Sequence, residues 1–87
     1  MTEEERRQWI KVLLEKVLTI HKQGKHYASV DIDNVNGSTL IGVTAMKNGW
    51  EVSKEYDFYA PCITDPEEIT RAVEFLDGLI ENEEVVK

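Results

Sequence analysis

The chain has one cysteine, two prolines and no apolar run near the roughly 18 residues that cross a bilayer. Cys62, being alone, excludes an internal disulfide and makes a reducing compartment the default. The N-terminus is acidic and then amphipathic, without the apolar core of a secretory signal, so a cytoplasmic location with no membrane contact is expected. Bases are scarce past residue 25, where four Lys/Arg stand against thirteen Asp/Glu; residues 1–25 carry six against four. The net charge is −7 over 87 residues. Holding a phosphate backbone takes Lys and Arg to displace counterions, so this balance argues against direct nucleic-acid binding. It suits solubility, a basic protein partner or cation binding. No linker, repeat or low-complexity tract divides residues 1–87, and a hydrophobic content of 41% is that of one small globular domain.

What the chain does have is two Asn-Gly pairs, Asn36-Gly37 and Asn48-Gly49. Asn-Gly between alternating segments favours a two-residue type I′ turn, because both central residues take φ > 0. A tight first turn pairs Val35 with Ser38 and sets Ile32 against Ile41, Val30 against Val43 and Ala28 against Ala45. A tight second turn pairs Lys47 with Trp50 and sets Ala45 against Val52 and Ile41 against Tyr56. Opposed residues share a face, so both turns agree on one apolar face. Strands are predicted at about 26–33, 39–46 and 50–59. The third would be a sheet edge, with Lys54 opposite Val43 guarding it.

Helices flank the strands. Thr2 with Glu5 forms a capping box, Glu3 to Glu5 complement the helix dipole, and Gly24 supplies a left-handed stop. Between them Trp9, Ile10, Leu13, Leu14, Val17, Leu18 and Ile20 fall on one side of a helix over 3–23, with Val12 off that stripe. Asp65, Pro66 and Glu68 open a second helix over about 66–81, whose apolar spacing runs Ile69, Ala72, Val73, Leu76, Leu79 and Ile80, with Phe75 blurring it. A meander with one apolar face takes both helices on that face: an α+β, two-layer α-β-β-β-α sandwich. In element order this resembles the double-stranded-RNA-binding domain and some small phage-encoded inhibitors. Where the RNA-binding family presents a lysine cluster at its second helix, this chain has Asp65, Glu67 and Glu68, so RNA binding is not implied.

The other sheet face is the strongest functional lead. It would carry Tyr27, Asp31 and Asp33, then Leu40 and Met46, then Glu51, Glu55 and Asp57: five carboxylates and no base. A merely solvated face is the plain alternative, yet Lys and Thr are the usual solubilising choices on strands. Apolar residues ringed by charge are what a protein-binding patch looks like.

Other chemistry finds little support. Asp31, Asp33, Asn36 and Gly37 fail the calcium-loop pattern, which needs Asp/Asn, Gly and Glu where Val35, Asn36 and Gly42 stand. His21 lies near a helix C-terminus, His26 starts a strand on the core side, and Cys62 has neither a neighbouring His nor a helix start to activate it. No metal or cofactor is expected. The predicted function is non-enzymatic: an inhibitor or antagonist of phage-inhibitor, immunity-protein or antitoxin type. Its acidic face would occupy a basic, nucleic-acid-binding site on a partner enzyme, the chain itself being a monomer or weak homo-oligomer. The alternative is an assembly subunit associating through a strand edge or through Val12 and Phe75.

Overall fold

The computed structural model describes residues 2–80. Its elements run α1 (Glu3–Gln23), β1 (Tyr27–Val35), β2 (Ser38–Met46), β3 (Phe58–Ile63) and α2 (Pro66–Leu79), with the strands antiparallel in the order β1-β2-β3. This is the α+β sandwich expected, one layer of sheet and one of helices. The expected extension of the second helix to residue 81 lies outside the described residues.

Local chemistry sets the helix ends. Thr2 Oγ1 accepts from Glu5 N, and the Glu5 carboxylate accepts from Thr2 N. The bond from the Thr2 backbone, then that from its hydroxyl, holds the Glu5 carboxyl below the usual carboxylate range. Gly24, at φ 71°, ends α1 and donates to Ile20 O. At α2, Asp65 caps Glu68 N and Pro66 takes the first helical position. The box expected there is closed differently, because the Glu68 carboxylate accepts from Thr64 N and Oγ1.

One core joins all five elements. Leu13, Val17 and Ile20 of α1 and Ile69, Ala72, Leu76 and Leu79 of α2 bury against Ala28, Ile41, Val43, Ala45 and Ile63. The β2 residues in that set are alternate ones, so both helices cover the same face. Lys16 pairs with Asp77 across the helices. Two apolar expectations change. Leu14 and Leu18, placed on the buried stripe by periodicity, are exposed. Phe75, expected to stand off the stripe, stacks on Phe58 at 5.2 Å and packs on the core.

The first hairpin has the predicted register throughout, from Val35–Ser38 to Tyr27–Met46, with Asn36 and Gly37 at φ 52° and 85°. The third strand departs from its prediction. It covers Phe58–Ile63 rather than 50–59, and Ala45 opposes Phe58 instead of Val52, while Ile41 opposes Ile63 instead of Tyr56. Core chemistry decides this. The tight-turn register sets Lys54 against Val43, which is fully buried, and an unpaired ammonium there is costly. The observed register sets Ala60 there. Lys54 lies in the 47–57 segment and guards no edge. Asn48 and Gly49 still take φ 64° and 98°, so they make a turn without closing a hairpin.

A bulge completes the β2–β3 pairing, since Val43 opposes Ala60 but Ile41 opposes Ile63. Pro61 and Cys62 therefore face Gly42 alone, and a Cβ on Gly42 would meet the Pro61 carbonyl oxygen at 2.9 Å. A proline is admissible at such an edge bulge. β3 pairs with β2 only over Ile41–Ala45, so the far half of the first hairpin projects as a two-stranded arm. Residues 31–38 are exposed, in a molecule of 46 × 32 × 20 Å.

Candidate functional site

Because both helices lie on one side, the opposite side of the sheet is uncovered by them, and strand alternation decides what stands there. β1 contributes Tyr27, Ser29, Asp31, Asp33 and Val35; β2 contributes Leu40 and Thr44; Tyr59 of β3 stands opposite Thr44. Among the three strands the only charged residues are Asp31 and Asp33. Asp31 faces Gly42 across the strands and Asp33 faces Leu40, so neither opposes a like charge. At the far end of the face the rings of Tyr56 and Tyr59 stack at 5.5 Å, and Tyr59 is 64% exposed. The result is an acidic arm beside an aromatic base.

The structure brings four of the eight expected residues together here: Tyr27, Asp31, Asp33 and Leu40. Met46 has the right alternation but is 1% exposed, so it anchors that end of the sheet and is not available to a partner. Glu51, Glu55 and Asp57 are not sheet residues at all, since the chain from 47 to 57 forms no strand. Asp57 has a structural task. Its carboxylate accepts from Lys47 N at 2.6 Å, while its own N–H donates to Ala45 O at 2.9 Å, locking the return of the loop onto the sheet. Lys54 donates to Lys47 O inside the same loop. Glu51 and Glu55 are exposed. The single field of five carboxylates thus resolves into two on the strands and three on the loop, of which Asp57 is engaged with Lys47 N.

Tyr56 and Tyr59 were missed as site residues. For Tyr59 the signal is in the alternation: the partner of Ala45 moves from residue 52 to 58, an even shift, so Tyr59 keeps the face that the sequence pattern assigns it, whereas the same alternation puts Tyr56 on the helix side and gives no signal for it.

Both histidines have structural partners. His21 Nε2 lies 2.8 Å from Ala28 O, and His26 Nδ1 accepts from Asn48 N at 2.9 Å, fastening the loop to the start of β1. Cys62 is exposed in the bulge. Among the described residues no cluster of His, Cys, Asp or Glu is arranged to hold a metal ion, and no helix is long and apolar enough to cross a membrane. A cleft of about 570 Å³ opens between the first half of α1 and Thr39, lined by Arg6, Arg7, Ile10 and Lys11 with Glu3 and Glu4. Arg6 pairs there with Glu3.

Comparison with known proteins gave no match, whether with protein-family models, curated proteins or solved structures.

Proposed function

We propose that this protein is a non-enzymatic binding module that presents the open face of its sheet to a basic site on a protein partner. The observation that supports this reading is the composition of that face. Helices cover the other side, and here exposed Tyr59, stacked on Tyr56, and half-buried Tyr27 and Leu40 lie beside Asp31 and Asp33, with no base on any strand. Aromatic and aliphatic anchors supply desolvated contact, and the carboxylates supply encounter rate and register. A basic groove built for nucleic acid has the matching charge, so the protein would act as an inhibitor or antagonist of a nucleic-acid-binding enzyme. Glu51 and Glu55 add to the field from the loop.

The test is capture of partners from cells that express the gene, using wild type and the Asp31→Asn/Asp33→Asn variant. The wild type should retain a basic protein that duplex nucleic acid displaces, and the variant should lose it, most clearly at low salt. Reversing Glu67 and Glu74 on the exposed side of α2 serves as the control. If the Asp variant keeps the partner and the α2 variant loses it, the helical layer is the binding surface and the open face is only solvated.

A further inference from the structure

Most of the described Lys and Arg side chains are engaged. Arg6 pairs with Glu3, Lys16 with Asp77 and Arg71 with Glu67, while Lys54 donates to the Lys47 carbonyl. Arg7 and Lys11 have no such partner among the described residues, although acids outnumber bases by 17 to 10. They stand one turn apart on α1, and both line the cleft of about 570 Å³ between α1 and Thr39. Lys22, which also lacks a partner, is at the other end of the helix. Arg6 lines the same cleft, and its Nε is the one buried side-chain donor among the described residues without an acceptor. A buried N–H normally has one. The carboxylates there are already engaged. Glu3 accepts from Arg6 Nη1 and, at 3.5 Å, from Thr39 Oγ1, and Glu4 accepts from Gln8 Nε2 at 3.5 Å. The cleft thus holds positive charge that the described residues do not answer.

We propose that this cleft binds a small organic phosphate monoester that carries hydroxyl groups. Three cationic side chains on one wall exceed what a singly charged carboxylate needs. A phosphate monoester brings close to two charges and three acceptor oxygens. A guanidinium offers its fork of N–H groups to two of those oxygens, and the Nε–H of Arg6 is one free prong. Lys11 supplies a mobile point charge. An anion between Arg7 and Lys11 also relieves the repulsion of like charges four residues apart. The cleft has the size of small-molecule sites, ~300–1,000 Å³, so an organic moiety extends beyond the phosphate. Half-buried Ile10 and the methylene stems of Arg7 and Lys11 are its apolar wall. Glu3 and Glu4 narrow the class. Their charges repel a polyphosphate or a nucleic-acid strand, while their remaining lone pairs accept from ligand hydroxyls. The cleft lies on the helix side of the sheet, so it stands or falls separately from the reading of the open face.

Amide NMR shifts of the isotopically labelled chain decide it, at constant pH and about 0.1 M salt. The probes are adenosine monophosphate, inorganic phosphate and adenosine. The nucleotide should give saturable shifts confined to residues 3–11 and the neighbours of Thr39. Inorganic phosphate should move the same amides at higher concentration, and adenosine should move none. Arg7→Gln and Lys11→Gln change exposed positions, so circular dichroism should be unaltered while each raises the dissociation constant about tenfold. Arg6→Lys keeps a charge beside Glu3 but removes the Nε donor, and should weaken binding as well. No saturable shift from either phosphate compound by about 10 mM overturns the proposal. Shifts centred elsewhere overturn it too, as does an affinity indifferent to both Arg7→Gln and Lys11→Gln. Inorganic phosphate that binds as tightly as the nucleotide overturns the assignment of an organic ligand.

Discussion

The β1–β2 hairpin closes over Asn36 and Gly37, whereas eleven residues separate β2 from β3, although Asn48 and Gly49 adopt the same pair of positive φ angles. Turn chemistry is therefore equal in the two places, and the difference lies in the residues after each turn. After Gly37, alternation delivers Thr39, Ile41, Val43 and Ala45 to the helix side, all compatible with burial. After Gly49 the same alternation would deliver Val52, Lys54 and Tyr56. The lysine has no acceptor at a fully buried position opposite Val43, and its desolvation outweighs the few contacts a tight hairpin would gain. Extending the loop to Asp57 brings Phe58, Ala60 and Ile63 into place and leaves Lys54 with the Lys47 carbonyl. An Asn-Gly pair permits a hairpin, and the core decides whether it closes.

The contrast between the two sides of β2 is broken most severely at Gly42. On the β1 side Gly42 faces Asp31 in ordinary register, and on the β3 side the bulge presses the Pro61 carbonyl to 2.9 Å from where a Cβ would stand. Gly42→Ala should cost about 2 kcal/mol, in the range of overpacked cores, because a backbone atom and not a flexible side chain must move. Urea titration followed by circular dichroism checks it. A midpoint equal to wild type would mean the bulge is absent.

The turns themselves come next. Gly37→Val and Gly49→Val both place a β-branched residue at positive φ, which costs about 1–2 kcal/mol in an unyielding site. Gly37 is held by a two-residue closure with paired strands on either side, so it should show the full penalty. Gly49 sits in a longer segment that can redistribute the strain, so its penalty should be smaller, about 1 kcal/mol or less. Equal losses in thermal denaturation would mean that the second turn is as constrained as the first.

These differences mark what the sequence could carry. Capping residues, the first hairpin and the side of the sheet that meets the helices are legible, because each depends on neighbours in the chain. Both ends of α1 and the Asp65–Pro66 start of α2 lie where their residue types place them. The third strand is not legible from its turn alone, since its register depends on which residues α2 and the far strands will bury. The exposure of Leu14 and Leu18 is likewise a matter of width: the sheet beneath α1 ends at β1, so a stripe broader than the contact is left uncovered. The expected face follows the strands: Tyr27, Asp31, Asp33 and Leu40 stand on one side of the sheet because their register is local, whereas Glu51, Glu55 and Asp57 lie outside it because theirs is not. Lys54 was the warning, a charge assigned to a buried row.

That lysine also gives the smallest and most discriminating effect. In the observed structure its ammonium meets a backbone carbonyl at the surface of the loop, a contact worth little in the presence of water. Lys54→Val removes this contact and puts an apolar side chain at a half-buried loop position, so stability should change by no more than about 0.5 kcal/mol, and downward. In a tight-turn register the same substitution would replace a buried charge by a residue suited to the row opposite Val43, and stability would rise by several kcal/mol. The sign is therefore the measurement. Chemical denaturation of Lys54→Val, read beside wild type at one pH and ionic strength, should show a midpoint at or slightly below that of the parent chain. A large increase would mean that β3 begins next to Gly49, and would return Glu51, Glu55 and Asp57 to the open face.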